Sequence, residues 1–138
     1  MQRTPGFLGV QYFEIPVEDL DRAVSFYEEA FNIPLTRESV DGYEMALFPE
    51  TAQGRGATGA LAKGDVYVPA KTGAILYLSV PSIKRSLDRL TRLGAEVLLD
   101  PREVPGQGIV AEFEDSEGNR IALFQPTDAS SASLHTSP

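Results

Sequence analysis

The chain contains no cysteine and no tryptophan, and its 138 residues include a single histidine, His135. Without cysteine there are no disulfides, thiolate metal ligands or sulfur nucleophiles, and a reducing cytoplasm is the compartment this composition suits. With one histidine, a Ser-His-Asp triad or a histidine-rich metal centre is excluded. His135 itself lies in "TDASSASLHTSP", a stretch with no apolar periodicity that reads as a mobile tail. Basic charge is scarce: the formal net charge is −8, which opposes binding to a phosphate backbone. No apolar run reaches the roughly 20 residues that cross a bilayer. The opening "MQRTPGFLGV" has neither the apolar core nor the cleavage site of a signal peptide. Apolar residues still make up 42% of the chain, enough to build a core.

Two changes of period organise what is present. "GVQYFEIPV" alternates, with Phe13, Ile15 and Val17 on one face and Tyr12 and Glu14 on the other. From Leu20 the apolar positions Ala23, Val24, Tyr27 and Phe31 follow at helical spacing, with Asp19 as N-cap and Asn32 as the left-handed stop. "PLTRESV" and "YEMALFP" flank Asp41-Gly42, a hairpin turn signal. "GALAKG" reads as a short strand. The same order then restarts. "GAILYLSV" alternates, with Leu76, Leu78 and Val80 opposite Ile75, Tyr77 and Ser79. Ser82 caps a helix whose stripe is Ile83, Leu87, Leu90 and Leu93, and Gly94 ends it. "AEVLLD", "GIVAEFED" and "RIALFQ" follow as strands.

The correspondence is close. Val17 and Val80, Arg22 and Arg85, and Leu20 and Ile83 each stand 63 positions apart, and "ALA" from Ala60 aligns with "IAL" from Ile121. An internal repeat of this kind defines the architecture: an α+β chain of two βαβββ modules in tandem. The expected division is a lead over 1–8, a first module over 9–64, a linker over 65–72, a second module over 73–126 and a tail over 127–138. Helices on one face of each curled sheet leave the other faces to form a half-open cup, the usual shape of a small-molecule site.

The stretches "FEIPVEDLDRAVSFYEEAF", "LSVPSIKRSLDRLTRLGAEVL" and "FEDSEGNRIALFQP" resemble the vicinal oxygen chelate superfamily. That family includes glyoxalase I, bleomycin-resistance proteins, extradiol dioxygenases and methylmalonyl-CoA epimerase. The resemblance implies paired βαβββ modules, often completed by dimerisation, with chemistry inside the cup. In metal-dependent members it also implies four strand ligands for one divalent ion. Carried over by motif, these positions fall on Tyr12, Leu61, Ile75 and Ala122. A divalent cation wants oxygen or imidazole donors at about 2.0–2.2 Å, and only Tyr12 offers one, as a neutral phenol. A register one residue off, with Gln11, Ala60, Ala74 and Ile121 or Leu123, is no better. No metal and no other cofactor is therefore expected.

What remains for the cup is a set of candidates. Glu14 and Glu112 are the possible acid–base carboxylates. Tyr12, Tyr43, Met45, Tyr77 and Phe124 are an aromatic, adaptable lining, joined by Leu61, Ile75, Ser79 and Ala122, with Lys63 for an anionic group. "TAQGRGATG" and "REVPGQG" read as loops flanking the cup and able to cover it; "GRGATG" lacks the strand-to-helix context of a phosphate loop. Three readings stay open. One is a metal-free small-molecule binder, a homodimer without nucleic-acid or membrane partners. The second is an acid–base enzyme using Glu14 or Glu112. The third is a metal-dependent lyase or epimerase with unusual ligands.

Overall fold

A computed structural model describes residue 6, residues 8–50 and residues 57–127. The tail with His135 and most of "TAQGRGATG" lie outside the described residues. The element order is β1 (Tyr12–Val17), α1 (Leu20–Phe31), β2 (Thr36–Val40), β3 (Tyr43–Leu47), β4 (Thr58–Lys63), β5 (Leu76–Ser79), α2 (Ile83–Arg92), β6 (Val97–Val104), β7 (Gly108–Glu114) and β8 (Arg120–Pro126). Each half is thus a βαβββ module, and the sheets have matching orders, β1-β4-β3-β2 and β5-β8-β7-β6. In both, the first strand runs parallel to the last and the remaining pairs are antiparallel.

Local chemistry explains the boundaries. The Asp19 carboxylate accepts from the Arg22 N–H at 3.0 Å, and Ser82 Oγ accepts from the Arg85 N–H at 3.2 Å, so each helix starts on its predicted cap. Asn32 (φ 53°) and Gly94 (φ 88°) adopt the left-handed conformation where the helices stop. Asp41 and Gly42 both have positive φ, as a tight hairpin between β2 and β3 requires.

One expected loop is mostly strand. Arg102–Val104 of "REVPGQG" belong to β6 and Gly108 opens β7, leaving only 105–107 as the turn. Pro101 is tolerated inside β6 because that strand is the sheet edge, where a missing N–H costs no ladder bond. The β6–β7 ladder shifts register on either side of Leu99.

The core lies between the modules. Ile15, Val17 and Leu61 from the first sheet, Phe26 and Tyr27 from α1, and Phe113, Ile121 and Leu123 from the second sheet form one buried cluster. Phe113 sits between Phe26 and Phe31, with ring centroids 6.3 and 6.0 Å away. The helix side of one module therefore packs on the helix side of the other. No hydrogen-bonded ladder joins the two sheets among the described residues. Their opposite faces are left open, with Tyr12 44% and Tyr77 52% exposed.

Candidate functional site

Strand register fixes which side chains share those open faces. Glu14 lies beside Ala60 in the β1–β4 ladder, and Met45 and Leu47 lie beside Ala62 and Ala60 in β3–β4. Tyr12, Glu14, Tyr43, Met45, Ala60 and Ala62 thus form the first sheet's open face. On the second sheet Tyr77 pairs with Ala122, Ser79 with Phe124, and Glu112 with Ala122 from the other side. Those five residues share the second open face. Ile75 precedes β5 and is half-buried.

Two expected site residues are elsewhere. Leu61 pairs with Ile15 and Ala46 and is fully buried in the inter-module core. The sequence could not place it because Ala60, Leu61 and Ala62 are all completely buried, and a strand buried on both faces shows no alternation. The true counterpart of Ala122 is Ala60, and Leu61 corresponds to Leu123. Lys63 has the parity of Leu61, lies beside Val17 and Glu44 in the ladders, and is exposed at the strand end away from Glu14.

The first face also contains a residue the sequence hid. Tyr67, in the connection after β4, donates its hydroxyl to Glu14 Oε1 at 2.8 Å, while Tyr12 donates to Glu14 Oε2 at 3.0 Å. The Tyr12 hydroxyl is also 3.8 Å from the Met45 sulfur. Tyr43 and Tyr67 meet edge to face with centroids 5.3 Å apart. Burial of its ring and the hydrogen bond to Glu14 push the Tyr12 phenol up to about 12. The hydrogen bond to Glu14, with some burial, raises that of Tyr67 as well. Both phenols therefore stay protonated donors at neutral pH. Nothing in the composition of "GDVYVP" marks Tyr67; its role arises from where the chain crosses the face.

Gly64 permits this crossing. A Cβ there would lie 2.3 Å from the Tyr43 ring and 3.3 Å from the Tyr67 ring. Gly64→Ala is expected to displace Tyr43, change the tyrosine ring signals in NMR spectra and cost roughly 1–2 kcal/mol in denaturant unfolding.

The second face is neutralised differently. Arg120, which the sequence did not single out, reaches Glu112 Oε1 through Nε and Nη2, both at 2.5 Å. Glu112 is largely buried and Arg120 half-exposed. This ion pair occupies the Glu112 carboxylate and removes it as a free base.

The middle of the two faces holds Ala60 and Ala122, which have no donor atoms. Glu14 is engaged by two phenols and Glu112 by a guanidinium. Among the described residues no three His, Cys, Asp or Glu side chains converge to hold a metal ion. The side chains present do not fit one. Two clefts, of about 300 and 410 Å³, lie away from these faces. One is bounded by Phe26, Glu96 and Asp115, and the other by Ile83, Leu87 and Ile109.

Tandem βαβββ modules with open sheet faces define a class of small-molecule-handling folds. Residues 9–123 match the Glyoxalase/Bleomycin resistance protein/Dioxygenase superfamily, and the chain belongs to it. A glyoxylase-like domain-containing protein of Didymella fabae is 28% identical, aligned over 80% of this chain and 88% of its own length. The crystal structure of TnmS3, an antibiotic-binding protein from Streptomyces sp. CB03234, is similar with a TM-score of 0.63 and 25% identity, over 90% of this chain and all of that one. The fosfomycin resistance protein FosX of Listeria monocytogenes shares the fold, with a TM-score of 0.64 and 20% identity over 95% of this chain and 99% of its own. No helix among the described residues is long and apolar enough to cross a membrane.

Proposed function

We propose that the protein binds a small, flat organic molecule against its open sheet faces, without a metal ion, as a homodimer of a reducing cytoplasm. The observation that carries this reading is the aromatic lining of the two sheet faces, where Tyr12, Tyr43, Met45, Tyr77 and Phe124 surround the equivalent small residues Ala60 and Ala122. Small residues at these positions let the larger side chains close over the sheet, as Tyr43, Leu47 and Tyr67 do over Ala60, and the exposed rings then supply apolar contact to a ligand. The likeness to an antibiotic-binding protein supports the same class of ligand. The packing of the modules supports the dimer. Within one chain the helix sides face each other, so the two open faces do not. Among the described residues β1 and β5 each stand at the edge of their sheet, and a second copy that sets its β5 beside β1 joins two faces into one cup and covers Tyr12 and Tyr77.

The test combines mass, metal and binding. Light scattering on the purified chain is expected to give twice the monomer mass, and elemental analysis well under one metal per chain. Planar aromatic ligands should quench the tyrosine emission, undisturbed by tryptophan, with a Kd unchanged by chelator. A stoichiometric divalent ion, or binding abolished by chelation, overturns the metal-free reading. Catalysis by Glu14, which keeps an exposed place on the first face, is the second reading; turnover lost in Glu14→Gln would establish it.

A further inference from the structure

The two open faces differ in charge, and this specifies the ligand further, resting on the binding role proposed above. On the second face the carboxylate of Glu112 is balanced by Arg120. On the first face the partners of Glu14 among the described residues are neutral, the hydroxyls of Tyr12 and Tyr67. None of the ion pairs among the described residues includes Glu14. The nearest cations in register are turned away. Arg37 lies beside Ala46 and pairs with Asp21 of α1 at 2.6 Å, and Lys63 has the parity of the buried Leu61. A further carboxylate, Asp41, stands close enough to Tyr67 to act on its phenol.

The geometry points to this first face as a subsite for an organic cation, a protonated or quaternary amine carried by the ligand, held by Glu14 among the rings of Tyr12, Tyr43 and Tyr67. The chemistry is direct. Aromatic faces attract a cation through their quadrupoles. The carboxylate adds negative charge that no ion pair among the described residues offsets. The two phenols donate inward to Glu14, so their outward lone pairs add acceptor character toward the ligand. Met45 gives the box a polarisable floor under the Tyr12 hydroxyl. An anionic ligand would meet the carboxylate with no compensating donor, and the same face would repel it.

A charge-only comparison tests this: 10-methylacridinium against acridine at neutral pH, where the second is uncharged and has nearly the same shape. Tyrosine quenching or calorimetry on the full chain is expected to give the cation an advantage on the order of tenfold. Added salt should reduce that advantage. Glu14→Gln, nearly isosteric on an exposed position, should abolish most of the cation's advantage over acridine. Tyr67→Leu should weaken both probes, the cation more. Equal binding of the two probes, or a preference that survives in Glu14→Gln, overturns the cation subsite and leaves the small-molecule role intact. Binding of neither probe overturns both.

Discussion

Replacing Glu117 with alanine should lower the stability of the chain by about 2–4 kcal/mol, although the residue lies in a surface turn. Its side chain is completely buried and accepts five hydrogen bonds. They come from the N–H groups of Glu18 and Asp19 at 2.8 and 2.9 Å, from Nε and Nη2 of Arg22 at 2.8 and 3.0 Å, and from Ser116 Oγ at 2.9 Å. The β7–β8 turn of the second module thus clasps the β1–α1 junction of the first. Alanine leaves two backbone donors without their acceptor. Arg22 is half-exposed and can hydrate, which keeps the loss below that of a fully buried broken pair. Thermal unfolding followed by circular dichroism should show a midpoint lowered by roughly 10 °C.

The same carboxylate sets an acid limit. Burial alone would raise the Glu117 carboxyl, but the Arg22 guanidinium and the N–H groups of Asp19 and Glu18 outweigh it and hold the group at about 2, below its ordinary value of 4.5. A depressed carboxyl contributes stability that is fully present above its unfolded pKa and is lost as pH falls toward the folded one. The contribution from Glu117 therefore fades between pH 4.5 and 2. Asp115 acts in the opposite sense. Burial raises it against the hydrogen bonds from Tyr27 and Asn119, so its protonation favours the folded state as acid is added. The acid loss should be flatter in Glu117→Gln than in the parent, measured as the difference in unfolding midpoint between neutral pH and about pH 3. An equally steep loss in the variant would assign the acid limit to other groups.

This clasp shows where sequence reading succeeds and where it stops. Strand β1, both helix caps and the Asp41-Gly42 turn were legible because each depends on residues within a few positions: alternation for Ile15 and Val17, a side-chain oxygen three residues before Arg22 or Arg85, positive φ at Asp41. The duplicated order of elements followed from the same local signals. The break between "GIVAEFED" and "RIALFQ" was legible, but the first-module partners of Glu117 are more than 90 residues away in sequence. The same limit hid Asn119, whose side chain donates to the Pro16 carbonyl at 2.7 Å and accepts from the Ala70 N–H at 3.0 Å. Among the site candidates, Tyr12, Glu14 and Tyr77 lie on the exposed faces that the alternation implies, because β1 and β5 are covered more on one side than the other. Leu61 does not, since β4 is covered on both. Tyr67 and Arg120 became visible only once the fold had brought a connection and a strand start against Glu14 and Glu112.

Phe113→Ala should have the largest effect of any single truncation, about 3–5 kcal/mol. Phe113 has no exposed surface, and its ring lies between Phe26 and Phe31 of the other module's helix. Its removal opens a cavity in the core shared by the two helix sides, in the same cluster as Tyr27, which is itself fully buried and anchored by a 2.7 Å hydrogen bond to Asp115. That anchor keeps α1 from collapsing into the gap, so the cavity term should persist rather than relax. Phe113→Leu, which refills most of the volume, should cost roughly 1–2 kcal/mol. Tyr12→Ala provides the contrast. It deletes a ring of similar size from an exposed position, so its cost to stability should stay within about 1 kcal/mol while ligand affinity falls. Denaturant titrations of the three variants, paired with ligand binding, separate the surface that joins the modules from the surface that meets the ligand. If Phe113→Ala lost less stability than Tyr12→Ala, the helix sides would not be the faces that hold the two modules together, and the open sheet faces would not be free for a ligand.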